Sequence, residues 1–124
     1  MAQGQGGSGG RIEALQSLAK DRVSLNGVTA TGADLSQIQL PNANLVGAHL
    51  SQDVLVYANF DEAAMGGADL SGSGLLNADL TGAYLTGADL SRAYLSRAIN
   101  TTRAQLAQAQ SLKGAIMPDG IRHP

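Results

Sequence analysis

Three side chains that can bind a metal ion or move a proton recur at an interval of twenty residues: His49, Asp69 and Asp89. Imidazole and carboxylate groups are ligands for divalent cations and also serve as acids and bases. They can act together only if the fold stacks residues that are twenty apart. A flat face supplies few convergent ligands, which favours a solvated polar ladder. A divalent-cation site or an enzyme is the alternative interpretation.

The other reactive residue types lack partners at a useful spacing. The chain contains no cysteine, and its second histidine, His123, lies close to the C-terminus. Serine and threonine are frequent, but no base accompanies them. We therefore expect no catalytic residue, no metal ligand set and no cofactor, and we interpret the protein as a non-enzyme.

A period of five residues must position these side chains. Residues 68–97 form six consecutive five-residue units, each with a small residue first and leucine third, and the frame extends back to Val23. Five fits neither a helix of 3.6 residues per turn nor a strand that alternates every two. It fits a chain that turns a corner every five residues, with the first and third side chains inward. Four corners give a coil of about twenty residues, and coils that stack at about 4.8 Å form an all-β solenoid.

The A(D/N)LXX units, as in Ala68-Asp69-Leu70, resemble the pentapeptide repeat family. The resemblance covers about three fifths of the chain and implies a right-handed quadrilateral β-helix of nearly four coils. The segment TTRAQLAQAQSLKGAIMPDG, near the C-terminus, is similar to endings seen in cyanobacterial members. The resemblance therefore implies a pentapeptide repeat protein of cyanobacterial type.

Short capping α-helices are expected at both ends, because the last coils of a solenoid expose apolar side chains and unpaired backbone groups. Ile12, Leu15 and Leu18 should cover one end. Thr102 and Gln105 match a capping box that begins a second helix, with Leu106, Ala109 and Leu112 on its apolar face and Gly114 as its stop. The predicted organisation is a flexible leader at 1–10, a capping helix at 11–22, the β-helix at 23–100, and a capping helix and tail at 101–124.

One residue breaks the rule for inward positions. Asp53 occupies a first position, where alanine is usual, so its carboxylate should point inside the solenoid. Ser73, twenty residues later, is the neighbouring exception. A bare buried carboxylate is costly, so we predict that the Ser73 hydroxyl and nearby turn amides donate hydrogen bonds to Asp53. A buried catalytic acid is the alternative.

Several outward positions on one predicted face are apolar, whereas most other outward positions are polar or glycine. A contiguous apolar patch of this kind indicates an interaction surface, and scattered surface apolar residues are the competing interpretation. The candidate interaction patch consists of Val54, Val56, Tyr57, Leu76 and Tyr94.

The sequence favours a structural or protein-interaction module that binds an unidentified protein or a second copy of itself. The resemblance offers an alternative, a DNA mimic that binds a type II topoisomerase such as gyrase. A net charge of −2 argues against that alternative and against nucleic acid as a ligand. No apolar run is long enough to cross a membrane. With no signal peptide in the sequence, the expected location is the cytoplasm.

Overall fold

A computed structural model describes residues 10–124 of the chain. The flexible leader predicted at 1–10 therefore lies, except for Gly10, outside the described residues. The described residues form two helices, α1 at Arg11–Lys20 and α2 at Arg103–Ala107. Between and after them, successive turns of the chain contact one another through single-residue parallel bridges. Within residues 10–124 these bridges do not extend into longer strands.

The bridges give a register of twenty residues. Asn44, His49, Val54 and Asn59 each pair with the residue twenty positions later, and the next coil repeats the pairing. Each coil therefore consists of four five-residue units, and the second residue of each unit forms the bridge. The chain is a β-helix solenoid.

Every unit ends in a β-turn. The N–H of each first residue donates to the carbonyl of the third residue of the preceding unit, as Ala68 does to Met65 at 3.1 Å. The fifth residue, which is the third of the turn, has a φ between 57° and 73° from Gly27 to Arg97. A positive φ at this place is what a type II turn requires. Glycine is therefore frequent at the fifth position, and the other residues there accept a strained backbone.

All five N–H groups of a typical unit have acceptors. In unit 68–72 one N–H group donates to the preceding turn and one to the coil before. Two N–H groups donate to the coil after, and one donates to the side chain of the unit's own second residue. In chain order the acceptors are Met65 O, Ala48 O, Asp89 O, Asp69 Oδ1 and Ser91 O, at 3.1, 2.9, 2.8, 3.0 and 2.9 Å. The frequent Asp or Asn in second position is thus explained, because its side chain accepts the one N–H that neighbouring coils leave free.

First and third side chains fill the axis of the solenoid. Phe60, Met65, Leu70 and Leu75 are fully buried, and alanines occupy most first positions. A small residue beside a large one lets the layers stack without voids. No aromatic-rich core is needed, because each coil buries four large side chains against those of its neighbours.

Helix α1 covers the N-terminal end with a different face from the one predicted. Leu15 is buried and Ile12 and Ala19 pack against the core, but Leu18 is exposed. The prediction for Leu18 was wrong because the helix is rotated toward Gln16, whose Oε1 accepts the N–H of Gln39 at 2.7 Å. That bond satisfies a backbone donor at the open edge of the first coil.

Helix α2 is shorter than predicted. The capping box of Thr102 and Gln105 is confirmed, with both reciprocal bonds at 3.0 Å, and Leu106 is buried. The helix ends at Ala107, however, so the expectation that Ala109 and Leu112 lie on it was wrong. Two extra residues shift the frame, and Ser111 pairs with Asp89, twenty-two positions earlier.

After α2 the chain resumes the solenoid. Leu112 takes a third position. Gly114, predicted as a helix stop, takes a fifth position, in a turn closed by the bond from the N–H of Ala115 to the carbonyl of Leu112 at 2.9 Å. The last residues then fold back, so that Ile116 pairs with Arg122 in antiparallel orientation. This tail covers the C-terminal edge that a helix was expected to cover.

Candidate interaction face

The five residues of the predicted interaction patch lie on one side of the solenoid. Val54 pairs with Gly74 and Gly74 with Tyr94, so these second-position residues form a continuous ladder across three coils. The fourth and fifth residues of the same units add Val56, Tyr57 and Leu76. We call the outward apolar residues of units 53–57, 73–77 and 93–97 the apolar face; they are Val54, Val56, Tyr57, Leu76 and Tyr94.

Most of the patch is accessible. Tyr57 is 59% exposed, Tyr94 50% and Val54 42%, whereas Val56 is half-buried between its neighbours. Gly74 has no side chain, and a Cβ built there would meet nothing within 4 Å. The face is therefore notched at its centre, with Val54 on the coil before and Tyr94 on the coil after.

The structure adds a residue that the sequence interpretation missed. Ile116 pairs with Tyr94 and continues the ladder into the coil formed after α2. The sequence carries a signal for it, because Leu112 and Met117 are five residues apart with Gly114 between them. The signal was hidden by the two-residue shift of the frame.

Exposed apolar side chains also occur outside this face. Val46, Tyr84, Ile99 and Ile121 are each at least 44% exposed. Tyr84 pairs with Ala64, and Val46 lies on the same side of the solenoid, in unit 43–47. Val46 and Tyr84 lie two coils apart, with Ala64 and Gly66 on the coil between them, whereas the apolar face carries large apolar side chains on each of three successive coils.

The polar ladder predicted on the adjacent side is present. His49 pairs with Asp69, and Asp69 with Asp89. Both carboxylates are already engaged locally, since Asp69 Oδ1 accepts the N–H and the hydroxyl of Ser71, and Asp89 Oδ1 accepts the N–H of Ser91. Within residues 10–124 no three His, Cys, Asp or Glu side chains converge in a geometry that could hold a metal ion.

Asp53 is buried as predicted, with 1% of its surface exposed, but its partner is different. Its Oδ1 accepts the N–H of Ala33 at 2.7 Å, while the Ser73 hydroxyl donates to the carbonyl of Leu70 at 2.7 Å. The predicted bond from Ser73 to Asp53 was therefore wrong. A serine three residues after a carbonyl of the same β-turn reaches that carbonyl without leaving the turn, which makes the local bond the easier one.

The environment of Asp53 disfavours its charged form. Its Oδ2 atom is buried and has no hydrogen-bond partner within residues 10–124. Burial raises the pKa of Asp53 to about 6, against the opposing effect of the N–H groups of Ala33 and Gly32 and the charge of Arg11. Within residues 10–124 the charged group that acts on it is Arg11, so the arrangement is that of a buried acid held by backbone N–H groups.

None of the helices in the described part of the chain has the length and hydropathy needed to span a bilayer.

Comparison with known proteins supports the repeat interpretation. The family model for pentapeptide repeats matches in eight copies, over residues 21–52, 33–72 and 65–99. A search of curated proteins gives no match.

Three solved structures illustrate the likeness. Rfr23, a pentapeptide repeat protein from the cyanobacterium Cyanothece 51142, is 37% identical with a TM-score of 0.57, over 57% of this chain and 48% of that one. A pentapeptide repeat protein of the Arabidopsis thaliana thylakoid lumen is 32% identical with a TM-score of 0.45, over 51% and 50%. HetL of Nostoc sp. strain PCC 7120, involved in heterocyst differentiation regulation, is 39% identical with a TM-score of 0.31, over 81% and 43%.

The chain spans about half the length of each of these three structures. The family match covers well over half of the chain, and the twenty-residue register explains why its five-residue units recur. The chain belongs to the pentapeptide repeat family.

Proposed function

We propose that this protein is a non-enzymatic interaction module whose apolar face binds a protein partner, either a different protein or a second copy of the chain. The observation that carries the proposal is the stacking of Val54, Gly74, Tyr94 and Ile116 in one ladder. The apolar side chains on either side of the notch at Gly74 lie on the same side of successive coils, and exposed apolar surface of this kind marks sites of association. Family membership alone does not assign a function.

Tyr57 gives independent support. It occupies a fifth position with a φ of 61°, a conformation that costs a bulky side chain roughly 1–2 kcal/mol relative to glycine. Glycine occupies this place in several other units, so a less strained residue is compatible with the fold. Seven other non-glycine residues have the same sign of φ at fifth positions, so the property that distinguishes Tyr57 is a tyrosine ring that is 59% exposed, which favours contact with a partner over packing.

The proposal includes the finer geometry that the family implies, a right-handed quadrilateral β-helix. The register of twenty residues and the four bridge columns per coil support four sides. Such a rod is rigid, because most backbone donors of the central units are bonded to adjacent coils. A rigid, flat face suits a partner that binds without large rearrangement.

The test compares two matched double variants. Leu76→Ser with Tyr94→Ser removes apolar surface from the apolar face, and Val46→Ser with Tyr84→Ser removes a similar amount from another side. Sedimentation over a range of concentrations measures self-association, and affinity capture from the source organism, followed by reconstitution with the purified captured protein, measures binding to another protein. We expect only the first variant to lose binding. Equal binding by the two variants would refute the assignment of the apolar face as the binding surface.

Tyr57→Gly separates binding from stability. Relief of the positive φ should leave the unfolding midpoint unchanged or raise it, whereas the loss of the ring should weaken partner binding. If Tyr57→Gly destabilised the fold and left association intact, the tyrosine would be a packing residue. Tyr57 would then no longer support the proposal that the apolar face binds a partner.

A DNA mimic that binds a type II topoisomerase is the second candidate, and the charge distribution gives it some support. Residues 23–91 contain seven acidic residues and no Lys or Arg. Asp53 is buried, so six carboxylates face outward over four coils, about 19 Å of height. Duplex DNA of that length carries about eleven charges.

The solenoid has roughly half the charge density of DNA, and its carboxylates are spread over three sides. The interaction module is therefore the stronger proposal. Inhibition of gyrase supercoiling by the purified protein at micromolar concentration would reverse this order.

A further inference from the structure

Positive charge is concentrated at the C-terminal end of the solenoid. Residues 92–124 carry five of the eight Lys and Arg residues and a single acidic residue, Asp119. The preceding units, 23–91, carry no Lys or Arg. The contrast indicates that the last coils present an electropositive surface on an otherwise acidic rod.

Three of these cations line one surface depression. Arg92, Lys113 and Arg122 surround a cavity of about 440 Å³ that also includes Gly114. A Cβ built on Gly114 would lie 3.2 Å from Cγ of Arg92 and 4.0 Å from Nη1 of Arg122. The two arginine side chains therefore both approach the same glycine, and the missing side chain keeps the space between them open.

The tail fixes one of the three cations. Nη1 of Arg122 donates to the carbonyl of Gly114 at 2.9 Å, and Ile116 pairs with Arg122 through the backbone. A guanidinium group has five N–H donors, so this bond leaves most of its donors available. Arg122 is therefore positioned in advance, which lowers the entropic cost of binding a ligand.

The three cations are not neutralised by ion pairs within the described part of the chain. None of Arg92, Lys113 and Arg122 forms an ion pair there. Asp89 also lines the depression, but its Oδ1 accepts the N–H of Ser91 at 2.9 Å. With Asp89 included, the depression keeps a net charge of about two positive units, which a dianion would neutralise.

Two hydroxyl groups add neutral donors. Ser111 Oγ accepts the N–H of Lys113 at 3.1 Å, which leaves its hydroxyl hydrogen free to donate outward. The Ser91 hydroxyl forms no hydrogen bond within residues 10–124, whereas Ser71, its counterpart one coil earlier, donates to Asp69. Of these two serines, Ser91 at the depression is therefore the one whose hydroxyl group can donate to a ligand.

We infer that this depression is a binding site for a small molecule that carries a phosphate monoester. Two guanidinium groups, an ammonium group and two hydroxyls match the three terminal oxygens and double charge of that group. The cavity is too small for a folded partner and large enough for a phosphate with a short organic substituent. The site lies beside Tyr94 but uses none of the apolar residues, so it does not depend on the proposed function.

The test is an NMR titration of the full chain with inorganic phosphate and with glycerol 3-phosphate, at constant ionic strength maintained with sodium chloride. We expect saturable shifts of the amide signals of Arg92, Ser111, Lys113 and Gly114. Arg92→Gln and Lys113→Gln should each weaken binding by at least about fivefold. Arg103→Gln, which removes an exposed arginine of α2 outside the depression, should leave it unchanged.

Other outcomes would overturn the inference. Shifts that rise linearly with concentration, or that sodium chloride alone reproduces, would show ionic screening. Equal weakening by Arg103→Gln would show an effect of net charge. Saturable binding of a triglutamate peptide without binding of phosphate would assign the site to an acidic protein segment. Lys113→Gln is the most informative variant, because the Lys113 side chain forms no hydrogen bond or ion pair within residues 10–124 that folding could require.

Discussion

The carboxylate of Asp53 reaches back one coil and accepts the N–H of Ala33 at 2.7 Å through Oδ1, while Oδ2 stays buried without a partner. The same N–H also donates to Ala30 O at 3.1 Å. Asp53 therefore duplicates a bond that the turn already forms. An alanine in this position, as in most other units, would leave no donor unsatisfied.

Replacement of Asp53 by alanine should stabilise the protein at alkaline pH. The pKa of Asp53 is about 6 in the folded chain and about 3.9 in the unfolded chain, so the folded state binds this proton more tightly. Its contribution to stability is fully present below about pH 4 and is lost as the pH rises through 6. The shift corresponds to roughly 2–3 kcal/mol. We expect Asp53→Ala to raise the free energy of unfolding by about that amount at pH 8.

Urea denaturation at pH 4, 6 and 8 measures the effect. The advantage of Asp53→Ala over the parent protein should shrink as the pH falls, because the parent then carries a neutral carboxyl group. Ser73→Ala, one coil later, has no titrating group and should show a difference that does not depend on pH. An advantage of Asp53→Ala that stayed constant from pH 4 to 8 would contradict the raised pKa.

The inward third positions should carry most of the stability. Leu70 is fully buried, and Leu70→Ala should lower the free energy of unfolding by about 2–5 kcal/mol because it leaves a cavity in the axis. Leu76 is a matched control, since it is an outward leucine in the next unit and is 38% exposed. Leu76→Ala should cost less than about 1 kcal/mol. Similar losses for the two variants in thermal or urea unfolding would contradict the inward assignment.

The second-position carboxylates should act as acceptors and not as charges. Asp79 Oδ1 accepts both the N–H and the hydroxyl of Thr81, the N–H at 3.0 Å. Asp79→Ala should cost about 1–2 kcal/mol because it removes both bonds. Asp79→Asn should cost much less, since Asn44 and Asn59 accept the equivalent N–H in other units. If Asn proved as damaging as Ala in urea denaturation, the charge would be the important property.

Gln105 should hold α2 on the last coil. Its Nε2 donates to the carbonyls of Leu80 and Ala83 at 2.6 and 2.8 Å, and its Oε1 completes the capping box with Thr102. Gln105→Glu keeps the acceptor but turns a carboxylate toward two carbonyls. We expect a loss of about 1–3 kcal/mol at pH 7, partly recovered near pH 4 when the carboxyl group becomes protonated. Gln108→Glu, on an exposed residue of the same segment, is the control.

Much of the architecture was predictable, because the same positions in every five-residue unit must face the axis of the solenoid. Burial of Leu70 and exposure of Tyr94 both follow from their place in the unit. The positions of the patch residues on one side follow as well, since four units close a coil. The repeat therefore fixes which side chains are neighbours without any knowledge of distances.

The predictions were wrong where the five-residue period stops, or where a local hydrogen bond competes with the predicted contact. Leu112 satisfies a helical spacing from Leu106 as well as a five-residue spacing to Met117, and only the two-residue shift before Ser111 decides between them. Leu18 fits the apolar stripe of α1, but the bond from Gln39 to Gln16 rotates that stripe away. For Ser73 the candidate acceptors were the Asp53 carboxylate and the Leu70 carbonyl, and the sequence does not show which of them is closer to the hydroxyl group.

The twenty-residue register has a consequence for length variation. Insertion of one complete coil would reproduce every contact between adjacent layers and lengthen the rod by about 4.8 Å. Deletion of a single residue in the middle would turn every later leucine from the axis toward water. Natural or engineered relatives that differ in length should therefore do so in multiples of five, or absorb the difference at the ends. The two extra residues around α2 show such an absorption at the last corner of this chain.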